Sequence, residues 1–271
     1  MSERVRRRDQ HVVVERDVLV RYLDAWTATT LRSQRGGTYV ECGGFAADAV
    51  RVFAEFADRL DGHHLELVVT GPAPVAVPAG LSVREMTEPF GFAGPVLAHV
   101  EDDWPVAESL ARGKGHEVVV TGAEPGDDHR ARLRTAGLRC VLAVDLVAED
   151  GAAQTLVFAT ADSKHLATFK NELWAVDEFA GIRYRDPRDP ERTLVDISLT
   201  PQLLPLRRVL SAELARRGSC SVAELQQHTL LETIYRPADA VAALTAAAAA
   251  GDISREPEKG RLTPRTVVAC R

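Results

Sequence analysis

The chain is poor in aromatic residues and contains no long apolar segment. Phe, Trp and Tyr make up 6% of its 271 residues, so the core must rest on Val, Leu and Ala. No run reaches the roughly 18 apolar residues of a membrane span, and the basic N-terminus is not followed by the apolar segment of a signal peptide. We therefore expect a cytoplasmic protein with no membrane contact.

Motifs for metal binding and for nucleophilic catalysis are missing as well. The cysteines form no C-x-x-C pair, and His63 and His64 are adjacent rather than one helical turn apart, so no metal site is expected. The sequence has no P-loop, no G-x-S-x-G, no H-E-x-x-H and no full G-x-G-x-x-G. Free thiols in a reducing compartment are the expected state of Cys42, Cys140, Cys220 and Cys270.

Charge is distributed unevenly along the chain. The net charge is −6, yet residues 202–271 hold ten Lys or Arg and seven Asp or Glu, a net of +3, which leaves −9 for residues 1–201. A basic segment behind an acidic body predicts that any contact with nucleic acid is made by the C-terminal part of the chain.

Strand and helix patterns alternate through the first two thirds of the sequence. Apolar residues at helical spacing predict a first helix over 12–34, and a short strand follows at 38–42. The last two strands of this part, 138–147 and 154–161, are separated by six residues, which is too short for a parallel crossover and predicts an antiparallel hairpin. The order predicts an α/β fold over residues 1–185, a Rossmann-like domain of the class I methyltransferase type with a mostly parallel sheet.

The rest of the chain is expected to form a linker and a small second domain. Two Asp-Pro pairs and dense charge in 183–200 argue against a packed element there and predict a linker over 186–200. Residues 201–271 show three helical segments and then a charged hairpin, the pattern of a winged helix-turn-helix domain. Ser221 and Glu224 predict a capping box at the second helix.

Three stretches together resemble the three-Cys-motif partner (TcmP) family, which joins a methyltransferase-like Rossmann domain to a C-terminal winged helix. They are VERDVLVRYLDAWTATT, the segment from DHRARLRTAG through LVFAT to ELWAVD, and SVAELQQHT with RPADAVAALTAAAAAGDI. The resemblance covers most of the chain and rests on the order and spacing of these stretches. It implies a methyltransferase-like or nucleic-acid-associated role in a bacterial conflict or modification system, beside a partner protein, with S-adenosylmethionine as the cofactor of an intact site.

The turn after the first strand departs from the family pattern D-x-F-A-G-x-G. The acid is kept as Glu41, whereas Phe and Ala stand at 45 and 47, where the pattern has glycine for a positive φ or for close approach of the cofactor. A solvated strand-end acid and a plain chain reversal are the alternatives to a cofactor site. The candidate cofactor-binding residues are Glu41, Cys42, Gly43, Gly44 and Phe45.

Two more strand ends depart from the pattern expected of a methyltransferase. The second strand ends Val69-Thr70-Gly71, without an acid to accept the ribose hydroxyls of a cofactor. The fourth ends in three acids and a tryptophan in place of D-P-[FY]-G. Because ligands bind at the carboxyl ends of strands in open α/β sheets, these acids are the candidate catalytic or substrate-binding residues, and a charged helix cap is the alternative. They are Glu101, Asp102 and Asp103.

Basic residues supply the candidates for contact with phosphate. The third C-terminal helix offers few groups that can reach base edges, so phosphate contact is favoured over base reading, and a protein-docking module is the alternative. Lys164, His165 and Lys170 form either a further basic surface or a solvated helix face. The candidate nucleic-acid-binding residues are Arg236, Arg255, Lys259 and Arg261.

Three functions are compatible with these patterns. The altered strand ends favour a methyltransferase-like domain with a degenerate cofactor site, coupled to a winged helix that contacts nucleic acid or a protein partner. An active S-adenosylmethionine-dependent methyltransferase with an atypical loop is the first alternative, and a non-enzymatic protein-interaction scaffold is the second.

Overall fold

The computed structural model of this protein describes residues 3–33, 36–60, 63–71, 76–86, 92, 94–122, 128–177 and 180–271. The elements, in chain order, are α1 (Glu3–Ser33), β1 (Gly37–Cys42), α2 (Ala46–Ala54), α3 (Ala57–Leu60), β2 (Leu65–Val69), β3 (Ser82–Glu85), β4 (Val96–Glu101), α4 (Trp104–Leu110), β5 (His116–Thr121), α5 (His129–Thr135), β6 (Cys140–Ala148), β7 (Ala153–Thr160), α6 (Ser163–Leu173), β8 (Ile182–Arg185), β9 (Val195–Asp196), α7 (Leu204–Arg217), β10 (Ser219–Ser221), α8 (Val222–Glu232), α9 (Pro237–Ala250), β11 (Ile253–Glu256) and β12 (Val267–Cys270). No helix within these ranges is both long enough and apolar enough to cross a membrane.

A nine-stranded sheet in the order β3-β2-β1-β4-β5-β7-β6-β8-β9 forms the body of the protein. Neighbours from β3 to β5 pair in parallel, and each remaining pair is antiparallel, so only β7 and β8 run against the other strands. The predicted mostly parallel α/β sheet and the β6–β7 hairpin are confirmed. This architecture is compatible with a Rossmann-like fold.

Both faces of the sheet are covered by apolar side chains, because successive residues of a buried strand point to opposite faces. Tyr39 of β1 belongs to the cluster that contains the apolar residues of α1 and α6, whereas the next residue, Val40, belongs to the cluster on the other face with Leu110 of α4 and Leu133 of α5. The first cluster continues into the C-terminal helices through residues such as Leu225. The candidate site lies at the carboxyl ends of the parallel strands, where Glu101 at the end of β4 is exposed.

Residues 183–200 contain packed strands, so the expectation that this stretch lacks any packed element is wrong. Ile182 and Tyr184 of β8 are buried, and so is Val195 of β9. The cause is a period-two pattern that the charge density hides: Arg183 and Arg185 alternate with apolar residues, so one face of β8 is apolar. The strand therefore pairs with β6 and extends the sheet.

The C-terminal unit consists of α7, α8 and α9 with a three-stranded antiparallel sheet in the order β10-β12-β11. The capping box of α8 is confirmed, since Ser221 Oγ accepts from the Glu224 amide and the Glu224 carboxylate accepts from the Ser221 amide. Helix α9 begins at Pro237 and ends before Gly251, which adopts the left-handed conformation.

Lys170 joins the sheet body to this unit. It is completely buried on α6, and its Nζ donates to four backbone carbonyls, those of Thr229, Leu230, Thr233 and Tyr235, at 2.6–3.1 Å. Burial lowers the pKa of Lys170, while the four oxygens at the end of α8 favour its charged form. Neither a phosphate-binding surface nor a solvated helix face describes this residue, so both sequence interpretations of Lys170 are wrong.

Candidate functional site

The carboxylate of Glu41, at the end of β1, is turned into the protein. Its side chain is 1% exposed. One oxygen accepts from Tyr39 Oη at 2.7 Å, and the other accepts from the backbone amide of Phe45 at 3.2 Å, across the turn. The alternative of a solvated strand-end acid therefore does not describe Glu41. Its hydrogen-bonding capacity is met inside the protein.

His99 extends this network across three neighbouring strands. It pairs with Glu41 in the parallel register of β1 and β4, and its Nδ1 lies 2.9 Å and 3.1 Å from the two carboxylate oxygens. Its Nε2 lies 2.9 Å from Oγ1 of Thr121 on β5. Burial alone would lower the pKa of His99, but the neighbouring carboxylates, above all Glu41, raise it. When the ring is protonated, it can donate to Glu41 from Nδ1 and to Thr121 from Nε2.

The two glycines of the turn make room for an acid from the neighbouring strand. A Cβ at Gly43 would lie 3.0 Å from Cβ of Glu101 and 3.1 Å from Oε1 of Glu41, whereas one at Gly44 would lie 3.9 Å from its nearest neighbour, Oε2 of Glu101. Neither glycine adopts a positive φ. The close approach that requires Gly43 is thus made by the side chain of Glu101.

The remaining turn residues contribute an apolar side chain and an unreactive thiol. Phe45 is buried, and its ring meets the imidazole of His99 edge-on at 6.1 Å. Burial raises the pKa of the half-buried Cys42 to about 11, against a smaller opposing effect of a hydrogen bond with Thr70. At neutral pH Cys42 is a thiol, so it is not an activated nucleophile.

The three acids after β4 occupy different positions. Asp103 caps α4 by accepting from the amide of Val106 at 3.1 Å, as the helix-cap alternative predicts. Asp102 adopts a φ of 57°, and its amide donates to the Thr121 carbonyl. Glu101 and Asp102 are exposed and line one cleft. The candidate catalytic acids are therefore split between a structural cap and an open cavity.

That cleft has a volume of about 770 Å³ and lies at the carboxyl ends of the strands. This size is within the usual range of small-molecule pockets. Besides the two acids, its walls include Glu15 of α1 and the ion pair of Asp145 on β6 with Arg185 on β8, 2.7 Å apart. The sequence interpretation missed these three residues. The sequence does contain a signal for Glu15. This residue follows Val14 on the apolar stripe of α1, so a charged side chain stands at a position that the pattern assigns to the core.

Among the described residues, Glu15 has no hydrogen-bond or ion-pair partner, in contrast to Glu41. It is 7% exposed, and its Oε1 is buried without a hydrogen-bond partner. Burial raises the pKa of Glu15 from the ordinary 4.5 to about 7, His99 opposes this rise, and Glu101 adds to it. Near neutral pH the group is poised between its neutral and its charged form.

The predicted nucleic-acid residues also fall into two groups. Arg236 is 15% exposed, pairs with Asp239 through two nitrogens and donates to the Leu199 carbonyl. Arg255 donates to backbone carbonyls of its own hairpin loop. Lys259 and Arg261 are exposed in that loop, and within the described part of the chain neither side chain has an ion-pair partner. Of the four candidates, all within the described part of the chain, only Lys259 and Arg261 are exposed without a side-chain partner.

No protein-family model matches this chain, and no curated protein matches it significantly. No group of three or more His, Cys, Asp or Glu side chains among the described residues is arranged to hold a metal ion. The site must therefore be interpreted from its own geometry.

Proposed function

We propose that this protein is a methyltransferase-like scaffold of the three-Cys-motif partner type that does not use S-adenosylmethionine and that acts through contact of its C-terminal unit with nucleic-acid phosphates. The observation that carries the first part is the position of Gly43 between the carboxylates of Glu41 and Glu101. The turn that would hold a cofactor is occupied by the protein's own acids.

The sheet supports a methyltransferase-like origin. Strands β1 to β5 are parallel, and β7 is inserted antiparallel between β5 and β6. This is the reversed strand expected of a class I methyltransferase-type domain. Fold alone does not assign activity, so the argument must rest on the site.

Two features of the site oppose cofactor binding. The Glu41 carboxylate is committed to Tyr39, His99 and the Phe45 amide, and the end of β2 offers no acid for ribose hydroxyls. Loss of such a charge-assisted contact costs about 1.5–3 kcal/mol.

Calorimetric titration of the wild-type protein with S-adenosylmethionine and S-adenosylhomocysteine tests this part. We expect no binding at ligand concentrations of about 1 mM, which corresponds to less than about 4 kcal/mol of binding free energy. Micromolar binding that Glu41→Gln weakens would show that the turn holds the cofactor and would reject the proposal.

The shape and charge of the C-terminal unit support phosphate contact without base reading. Three helices and a three-stranded sheet in this order are what a winged helix requires, with the β11–β12 loop as the wing. The outward residues of α9 include Ala242, Thr245 and Ala249, which offer almost no group for base edges. Exposed Lys259 and Arg261 offer charge for the backbone.

Mobility shifts of a duplex DNA and of an RNA across a salt series test the phosphate contact. Lys259→Gln combined with Arg261→Gln should weaken binding and reduce the salt slope by about 2, since each phosphate contact contributes about 0.9. Arg216→Gln is the matched control, because Arg216 of the same unit is paired with Glu213. Absence of binding at low salt would favour a protein-interaction scaffold instead.

An active methyltransferase is the second candidate, favoured by the large cleft at the carboxyl ends of the strands, where Glu101 and Asp102 are exposed. Methyl transfer depends mainly on positioning, so a missing acid–base pair does not exclude it. Transfer of labelled methyl groups from S-adenosylmethionine to any acceptor, lost in Glu101→Gln, would establish this candidate.

A further inference from the structure

The wall of the cleft includes three carboxyl groups that have no ion pair within the described part of the chain. Glu15, Glu101 and Asp102 line the cleft, and none of the three forms an ion pair or a side-chain hydrogen bond with a described residue. The imidazole of His99 is bound to Glu41 and acts on Glu15 only through its charge. Charged groups in a partly desolvated cavity are normally paired. The wall therefore has the composition of a cation site whose cation is not part of the protein.

Glu15 gives an independent indication of a ligand. More than nine tenths of its surface is buried, and Oε1 is enclosed without a hydrogen-bond donor. An unsatisfied buried oxygen costs about 1–3 kcal/mol, and such groups are rare in folded proteins unless they serve a purpose. By comparison, both carboxylate oxygens of Glu41 have hydrogen-bond partners within the protein, namely Tyr39 Oη, the Phe45 amide and His99 Nδ1.

The basic groups around the cleft are engaged elsewhere or face solvent. His11 Nε2 lies 3.1 Å from the Leu146 carbonyl oxygen, and the ring of His99 lies between Glu41 and Thr121. Arg185 donates from Nε to Asp145 at 2.8 Å, and Asp145 also accepts from Thr155 Oγ1 at 2.7 Å. The charge of Arg185 is therefore already paired with Asp145. Arg192 lines the outer part of the cleft and is exposed to solvent. Among the described residues, Glu15 and Glu101 therefore lack a positively charged partner that can donate hydrogen bonds to them.

We propose that the cleft binds a small organic cation with a primary ammonium group, which donates hydrogen bonds to Glu15 and Glu101. An ammonium group has one positive charge and three N–H donors, so it can donate to two carboxylates at once even when they come from different secondary-structure elements. The described residues do not form a metal-ligand set, so a divalent cation fits this wall less well. The inference goes beyond the proposed function and does not depend on it.

Calorimetry with 1,4-diaminobutane as the probe tests the inference on the full-length protein. We expect saturable binding below about 1 mM, and no comparable binding of choline, which has the charge but no N–H donor. Because Glu15 must be ionised to receive the ammonium group, affinity should rise between pH 6 and pH 8, and binding should release protons.

Glu15→Gln should weaken the binding of 1,4-diaminobutane at least about tenfold. Glu101→Gln should have the same effect, and this position is exposed and therefore tolerant of change. Glu258→Gln, an exposed acid of the β11–β12 loop, is the matched control and should bind as the wild type does. The proposal would be overturned if Glu15→Gln bound 1,4-diaminobutane as tightly as the wild type does, or if choline bound equally well. It would also be overturned if an equal concentration of Mg²⁺ displaced the probe, or if no binding occurred at about 10 mM probe. S-adenosylmethionine also carries a primary ammonium group, so its titration is repeated with Glu15→Gln. Binding of S-adenosylmethionine that this variant leaves unchanged would reject the proposed function alone, so the two can fail separately.

Discussion

Lys170 and Glu15 are both buried charged residues, but the protein treats them in opposite ways. Nζ of Lys170 is surrounded by four carbonyl oxygens at the junction of α6 and α8. Oε1 of Glu15, on a residue that lines an open cleft, has no hydrogen-bond partner in the part of the chain that the structure describes. A buried charge with a full set of partners is an anchor of the fold. A buried charge without one indicates a place where something outside the protein completes the set.

Substitution of Lys170 should have the largest effect. Lys170→Met keeps the length of the side chain but removes the hydrogen bonds of Nζ to four buried carbonyls, so we expect a loss of about 3–5 kcal/mol in the free energy of unfolding. Chemical denaturation measures this loss. Lys164→Met, at an exposed position of the same helix, should change stability by less than about 0.5 kcal/mol. Equal effects of the two would refute the anchor role.

Glu41 should behave like Lys170 and not like Glu15, because its partners are internal. Glu41→Ala removes the acceptor of Tyr39, His99 and the Phe45 amide and should cost about 3 kcal/mol of stability. Thermal and denaturant unfolding provide the measurement. The control is Glu66→Ala on β2, which breaks a solvent-exposed pair with Arg84 and should cost less than about 1 kcal/mol. A mild effect of Glu41→Ala would mean that the network is not structural.

Glu15→Gln should stabilise the protein, and only at higher pH. The folded chain keeps the proton of Glu15 up to a pH of about 7, whereas the unfolded chain releases it near 4.5, so this group lowers stability as the pH rises from 4.5 to 7. Glutamine carries no such charge. At pH 8 the variant should gain up to about 3 kcal/mol over the wild type, and near pH 4 the two should agree. A constant difference across this range would contradict an unpaired buried carboxyl.

The smallest effect distinguishes the two glycines of the turn. Gly43→Ala places a methyl group 3.0 Å from Glu101 Cβ and should cost about 1 kcal/mol, since the neighbouring strand must move slightly. Gly44→Ala meets its nearest atom at 3.9 Å and should change stability by less than about 0.5 kcal/mol. If Gly44→Ala were the more damaging of the two, the close approach of Glu101 would not be the reason for glycine at 43.

The elements and their caps could be predicted because their signals are local. Helical spacing identified most of α1, the short connection identified the β6–β7 hairpin, and Ser221 with Glu224 identified the start of α8. Strand β8 was hidden because its two arginines dominate the composition, although a period of two between Ile182 and Tyr184 was present.

The site could be predicted only in outline, because its contacts join residues far apart in sequence. The parallel register of β1 and β4 makes Glu41 a neighbour of His99, and no local pattern encodes that register. No local pattern encodes the position of the carbonyls around Lys170 or the approach of α1 to the end of β4 either. A partial exception is Glu15, where an acid interrupts the apolar stripe of a helix.

The burial of Lys170 has a consequence for chemical labelling. The chain has four lysines, Lys114, Lys164, Lys170 and Lys259. Three of them are exposed, and Lys170 is enclosed between the sheet body and the C-terminal unit. An amine-reactive reagent therefore labels three of the four lysines in the assembled protein and reaches the fourth when α8 separates from α6. The protein carries, in one side chain, a mass-spectrometric reporter of whether its two parts are docked.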